Sequence, residues 1–191
     1  MDARICGLVL AAGAGTRYGG PKALARTAAG DLWVTRAVRM LVAGGCADVL
    51  VAVGADADAA RMLVPVGARV VVVEEWADGV SATLRAALAA ASGFDAVLIT
   101  PVDTPDAPAE AARRVLEVGL AAASAPDALA RAVYRGHPGH PVLVGSAHWS
   151  ALAGDLSGDR GAAGYLETHG AVAVECGDLW SGADIDVREP G

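Results

Sequence analysis

One lysine stands among fifteen basic residues, Lys22, the other fourteen being arginine. It closes the run Leu10-Ala11-Ala12-Gly13-Ala14-Gly15-Thr16-Arg17-Tyr18-Gly19-Gly20-Pro21-Lys22, where four glycines fall within eight residues and Arg17 supplies a second cation. Glycines leave backbone N–H groups uncovered, so such a loop can close on phosphate oxygens with both cations beside it. Two acidic groupings complement it. In Pro101-Val102-Asp103-Thr104-Pro105, the prolines fix the backbone and discourage helix, which preorganises Asp103 as a ligand for a hard cation. In Asp184-Ile185-Asp186, strand alternation would put both carboxylates on one face, and that alternation does not choose between them.

These residues need elements to hold them. Short apolar, β-branched runs alternate with longer Ala/Leu/Arg stretches of helical period, the pattern of βαβ units and a mainly parallel sheet. Strands are expected at Ile5–Leu10, Asp48–Val53, Arg69–Val73 and Asp95–Thr100, with helices at Leu32–Ala43, Asp56–Leu63, Ser81–Ala91 and Pro108–Val118. The glycine run and Asp103 then both follow the carboxyl ends of strands, the edge at which open α/β sheets bind ligands. Beyond Gly119 the rhythm becomes strand-rich: Leu120–Ser124, Ala130–Tyr134, Val142–Val144 and Val172–Glu175 read as strands, with helices near Ala147–Ala153 and Gly161–Thr168. The expectation is one α/β domain over residues 1–191, a parallel sheet with a mixed or antiparallel extension over 120–191.

Two familiar phosphate loops do not match. A P-loop requires Lys directly after its last glycine and then Ser or Thr, whereas Pro21 separates Gly20 from Lys22 and Ala23 follows. A dinucleotide fingerprint requires its third glycine one residue earlier than Gly19. The run instead resembles the L-A-A-G-x-G-x-R-x-G-x-P-K signature of the molybdenum cofactor nucleotidyltransferases, the MobA-like NTP transferases. That resemblance implies a Rossmann-like nucleotidyltransferase fold whose first part, 1–119, binds the nucleotide through Leu10, Ala11, Ala12, Gly13, Gly15, Thr16, Arg17 and Lys22. It also implies that Arg17 contacts the phosphates, that Lys22 neutralises the reacting α-phosphate, and that Asp103 holds Mg²⁺. The end of the chain, Ala183-Asp184-Ile185-Asp186-Val187-Arg188-Glu189-Pro190, resembles the family's D-I-D-T-P-E-D, so one of Asp184 and Asp186, with Asp184 preferred, completes the metal set.

Three further segments extend the resemblance. Trp76-Ala77-Asp78-Gly79-Val80-Ser81-Ala82-Thr83-Leu84-Arg85 is similar to the W-x-x-G-M-S-x-S-L-R element of the cytidylyltransferase branch, with Gly79 and Ser81 on the nucleotide and Ser81 positioned as a helix N-cap. This element, and Leu-Ala-Ala-Gly in place of Leu-Ala-Gly-Gly, lean toward CTP over GTP. Arg135-Gly136-His137-Pro138-Gly139-His140-Pro141-Val142-Leu143 resembles the R-G-H-P-V-L element, which implies a loop on the acceptor side bearing Arg135, His137 and His140; Pro138 and Gly139 argue against a helical His pair for metal. Gly158-Asp159-Arg160-Gly161-Ala162-Ala163-Gly164 resembles G-D-x-G-A-R, placing Asp159 and Arg160 on the acceptor, although Ala163 stands where Arg is usual.

The implied reaction is attack by the terminal phosphate of an acceptor, molybdopterin or its molybdenum form, on the α-phosphorus of an NTP with loss of pyrophosphate. The rivals are a guanylyltransferase, a transferase for a sugar or small organic phosphate, and, from another class, a nucleotide-binding reductase or non-catalytic sensor. A molybdoenzyme or its maturation chaperone is an implied contact.

Composition narrows the remainder. Hydrophobic residues make up 54% and charged residues 19%, which excludes a disordered chain. A net charge of −7 gives no general attraction to nucleic acid or anionic membrane, and the apolar run after Met1 is too short for a bilayer. Cys6, Cys46 and Cys176 are odd in number and widely spaced, so they read as small apolar fillers in a reducing, cytoplasmic setting.

Overall fold

The computed structural model describes residues 3–188. Met1 and Asp2, and the Glu189-Pro190 end of the terminal motif, lie outside the described residues. The elements run β1 (Ile5–Ala11), α1 (Trp33–Gly44), β2 (Asp48–Val53), α2 (Ala57–Arg61), β3 (Ala68–Val72), α3 (Val80–Ala90) and β4 (Ala96–Pro101). They continue α4 (Ala109–Ala122), β5 (Leu129–Tyr134), β6 (His137–Gly145), α5 (Trp149–Asp155), α6 (Ala163–Thr168) and β7 (Val172–Glu175). The seven strands form one sheet in the order β3-β2-β1-β4-β6-β5-β7. β1 to β4 are mutually parallel, β6 pairs antiparallel with β4 and β5, and β7 returns parallel to β5, so β6 alone is reversed.

The chain leaves β1 toward β2 and β3, then crosses back to lay β4 on the other side of β1. This reversal of winding opens a crevice at the carboxyl ends of β1 and β4. Leu10 pairs with Pro101 in the register of those strands, and the Val102 N–H donates to the Leu10 carbonyl at 3.0 Å. The glycine loop and the Asp103 turn therefore leave the sheet side by side.

Both faces are covered, as parallel strands require. One core joins Val9, Val51, Leu98 and Leu143 to Trp33, Val34 and Leu41 of α1 and Val115 and Leu116 of α4. The other joins Leu8, Leu50, Val97, Ile99 and Val142 to Leu84 and Leu88 of α3, Leu152 of α5 and Leu166 of α6. Alanine richness has a packing use: a Cβ on Gly44 of α1 would lie 2.4 Å from the Ala112 Cβ, so α1 and α4 meet through small residues. All three cysteines are buried and free. Among the described residues no helix is long and apolar enough to cross a membrane.

Three expectations are corrected. Leu120–Ser124 is not a strand: α4 runs through to Ala122, because Leu-Ala-Ala continues the helical pattern set by Val115, Leu116 and Gly119. Gly119 does not break that helix; it is the close-approach point against Leu143 and Ala130. Residues 135–143 are not a loop. Arg135 and Gly136, at φ +54° and +82°, form the two-residue turn of a hairpin between β5 and β6 with Tyr134 opposite His137. Finally, Ser81 does not cap α3. Gly79, at φ +98° and ψ −170°, occupies that position, and Ser81 is buried inside the first turn. The remaining elements match expectation to within a few residues at their ends, β6 excepted, which is longer than Val142–Val144.

Candidate functional site

The crevice is a cleft of about 910 Å³ bounded by the glycine loop, the Asp103 turn, the start of α3, the 159–163 segment, β6 and the chain from Gly182 to Asp186. The loop is wound about Gly15. The N–H groups of Tyr18, Gly19 and Gly20 all donate to the Gly15 carbonyl, at 3.0, 2.9 and 3.1 Å. Gly15 sits at φ +59°, and a Cβ there would fall 2.1 Å from the Gly20 oxygen, so only glycine fits. This winding assigns separate roles to the four glycines. Gly19 and Gly20 make the turn, while Gly13 through Arg17 line the cleft with backbone N–H groups that have no intramolecular partner among the described residues.

Lys22 opens a short 3₁₀ turn after Pro21, and its Nζ donates to Asp103 Oδ2 and Asp186 Oδ1, both at 2.9 Å. Burial pulls the ammonium toward neutrality, but the hydrogen bonds and charges of the two carboxylates outweigh this and hold its pKa above the ordinary value. The hydrogen bond from Lys22, aided by the charges of Lys22 and Arg17, holds Asp186 below the usual carboxylate range. Arg17, largely exposed, pairs with the other Asp186 oxygen at 2.9 Å.

The C-terminal chain is bound across the cleft as a strap. The Ile185 N–H donates to the Asp103 carbonyl at 2.9 Å, and the Arg188 guanidinium lies 5.0 Å from the Tyr18 ring centroid. Asp103, Asp184 and Asp186 each offer an oxygen, all within 4.8 Å of one another. The Asp103 turn is held by Thr104, whose hydroxyl donates to the Pro101 carbonyl at 3.0 Å. Asp103 Oδ1 is buried with no hydrogen-bond partner among the described residues. A desolvated carboxylate oxygen left without a partner is unfavourable until a donor or cation meets it. Three clustered carboxylates, one of them carrying an orphaned oxygen, therefore fit a divalent cation.

The other sequence candidates divide. Leu10, Ala11, Ala12, Gly13, Gly15, Thr16, Gly79, His140 and Asp159 line the cleft. Burial lowers the His140 imidazole pKa against the opposing charges of Asp103 and Asp184, which keeps the ring neutral at pH 7. Arg135 and His137 are exposed in the hairpin turn, where the Arg135 N–H donates to Glu175. From this segment the cleft is lined by Pro138, Gly139, His140 and Val142. Arg160 folds back on Ser157 of its own loop and does not line the cleft. Ser81 does not line it either, and its N–H donates to the Gly158 carbonyl at 3.0 Å. Among the cleft residues not named as site residues from sequence are Trp76 and Arg131. Trp76 packs so closely on Gly54 that a Cβ there would fall 2.4 Å from the Trp76 Cβ, and Arg131 of β5 is a lone cation in an apolar strand.

Comparison with known proteins agrees with this geometry. The family model described as the MobA-like NTP transferase domain matches residues 7–173. A nicotine blue oxidoreductase of Paenarthrobacter nicotinovorans is 35% identical, over 97% of this chain and 93% of that protein. A molybdenum cofactor guanylyltransferase of Cereibacter sphaeroides is 35% identical, over 88% and 84%. Among solved structures, Rv0371c of Mycobacterium tuberculosis superposes with a TM-score of 0.79 at 26% identity, over 98% and 95% of the two chains. The same protein has been solved in complex with manganese and superposes with a TM-score of 0.72, over 91% and 88%. With its switch-point crevice, its glycine loop ending in Lys22 and a family match over residues 7–173, this chain belongs to the MobA-like NTP transferase family.

Proposed function

We propose that this protein transfers a nucleoside monophosphate, CMP from CTP, to the terminal phosphate of molybdopterin or its molybdenum form, releasing pyrophosphate. The observation that carries the reading is the bridging of Lys22 by Asp103 and Asp186 at the mouth of a loop with free N–H groups. A phosphate oxygen of the acceptor attacks the α-phosphorus, a new P–O bond forms, and the bond to the α–β bridging oxygen breaks as pyrophosphate leaves. The nucleophile is already anionic near pH 7, so the reaction needs no general base. The work left to the chain is positioning and charge neutralisation.

The N–H groups of Gly13 to Arg17 cradle the triphosphate, and Arg17, exposed, exchanges its pairing with Asp186 for the outer phosphates. Lys22 offers a compact ammonium that can turn from the carboxylates to the α-phosphate, a role less suited to a planar guanidinium. Asp103, Asp184 and Asp186 would hold Mg²⁺, which when bound supplies further neutralisation of phosphate charge. His140 and Asp159 line the acceptor side.

The cytidine preference is supported by the element from Trp76 to Arg85 and by Leu-Ala-Ala-Gly in the first loop. Two relatives favour other readings by name: the Cereibacter protein is a guanylyltransferase, which would mean GTP here, and the Paenarthrobacter protein is an oxidoreductase. One experiment separates them. Purified protein is incubated with molybdopterin, Mg²⁺ and each of CTP, GTP, ATP and UTP while pyrophosphate is measured, and oxidation of reduced nicotinamide cofactor by a quinonoid dye as hydride acceptor is followed in parallel. CTP-dependent pyrophosphate release is expected; release with GTP alone would move the assignment to guanylyl transfer, and hydride oxidation without pyrophosphate would overturn it.

A further inference from the structure

Arg131 lies in β5 opposite Val142 of β6 and Ala173 of β7, and Val142 lies opposite Ile99 of β4. Residues directly opposite in a sheet share a face. Arg131 therefore belongs to the row occupied by Ile99 and Val142 in the core beneath α3 and α6. It lines the cleft, as do Ala163 and Leu166 of α6. Its Nε is buried and meets no acceptor among the described residues. The cleft's carboxylates are engaged elsewhere: Asp103 and Asp186 hold Lys22, Asp184 stands with them, and Asp159 lies against Gly79. A guanidinium cannot relieve its burial by losing a proton. The Nε of a half-buried guanidinium, left without an acceptor at a cleft wall, calls for one that arrives with a ligand.

Its depth says which ligand. β6 runs toward the sheet interior from His140, which lines the cleft at the level of the acidic triad, and Val142 is two residues, about 6.6 Å, further in. Arg131 thus meets the cleft below the triad and on the α6 side, across from the glycine loop. The neighbouring walls, Leu84, Val142 and Leu166, are apolar and suit a flat ring body.

We propose that Arg131 recognises an oxygen on the rim of the acceptor's ring system, at the end remote from the attacking phosphate, and so selects which acceptor is used. This rests on the nucleotidyl-transfer reading above. The oxygen is either a ring carbonyl or an anionic group, both acceptors for a guanidinium fork.

The test compares wild type with Arg131→Met, Arg131→Gln and Arg131→Lys, measuring KM for molybdopterin, KM for the nucleotide, kcat, and the ligand-free melting temperature. For Arg131→Met, the acceptor KM should rise about tenfold to a hundredfold, the loss of a charge-assisted hydrogen bond. Its nucleotide KM should stay within about twofold, and its melting temperature should not fall. Recovery by Gln identifies a carbonyl and recovery by Lys an anion; either supports the proposal. An unchanged acceptor KM, an equal rise in both KM values, or a lower melting temperature in the Met variant would overturn it. Equilibrium titration with molybdopterin distinguishes the two readings. Wild type that binds none removes the acceptor assignment itself, whereas binding that all three variants retain removes only the role of Arg131.

Discussion

Lys22 and Asp186 are 164 residues apart in the chain and share a 2.9 Å hydrogen bond. That contact ties the two ends of the described chain together over the cleft, and the same ammonium reaches Asp103 from the middle of the sequence. Three distant segments thus converge on one cation, and the first prediction concerns its removal.

Lys22→Ala should fold and still bind nucleotide while losing about 10²- to 10³-fold in pyrophosphate release. Lys22→Arg should not restore the rate, because a planar fork does not reproduce a point charge at the α-phosphate. Steady-state kinetics beside circular dichroism of each variant checks this; normal turnover by either variant would sink the catalytic role of Lys22.

Divalent cation should stabilise the folded state through the acidic triad. At 100 times its Kd, one bound Mn²⁺ or Mg²⁺ adds about 2.7 kcal/mol. Asp103→Asn should abolish that gain, since Asp103 supplies the buried, unpartnered oxygen, and Asp184→Asn should reduce it. Thermal melts with and without Mn²⁺ read both, and equal stabilisation of wild type and Asp103→Asn would contradict the site.

Gly15 and Gly13 should respond differently to alanine. At Gly15 the added Cβ collides with the Gly20 carbonyl at positive φ, so Gly15→Ala should lose about 1–3 kcal/mol of stability and nucleotide binding with it. A Cβ at Gly13 meets nothing within 4 Å, so Gly13→Ala should fold normally. Denaturant melts of the pair decide the matter, and equal midpoints would argue against the observed winding of the loop.

Glu175 should contribute to acid stability. Backbone N–H groups of Arg135 and Gly177 donate to its carboxylate and hold its pKa below the ordinary value. A depressed folded-state pKa means stability present above the unfolded value near 4.3 and lost as pH falls through the folded one. Glu175→Ala should therefore melt lower than wild type at pH 6 to 7, with the gap closing as pH falls below about 5. A gap independent of pH would assign the effect to packing.

The glycine loop and the Asp103 turn could be read from sequence because each is a local string following an apolar strand, and β1 and β4 are buried along nearly their whole length. The terminal acids were visible as a motif, but their use depends on the Ile185 to Asp103 hydrogen bond, which no local pattern encodes. Arg131 was invisible for the same reason: alternation put it within a strand, while the cleft it lines is closed in part by α6, more than thirty residues later. The hairpin was missed because arginine at positive φ runs against the usual Asn-Gly turn preference, and Glu175 offsets this by accepting the Arg135 N–H. Ser81 failed as a cap because Gly79, pressed against Gly158 and Asp159, starts the helix in a conformation that alanine would not adopt.

The single reversed strand has a consequence for how such a protein can diversify. In an all-parallel sheet each wall at the binding edge would follow the carboxyl end of a strand. Here the edge beside β4 is built by the incoming end of β6, which arrives from a two-residue turn that carries none of the charge cluster. Changes in that hairpin can remodel one side of the cleft while Lys22, Asp103 and Asp186 keep their places. Relatives of this architecture carry names as different as guanylyltransferase and oxidoreductase.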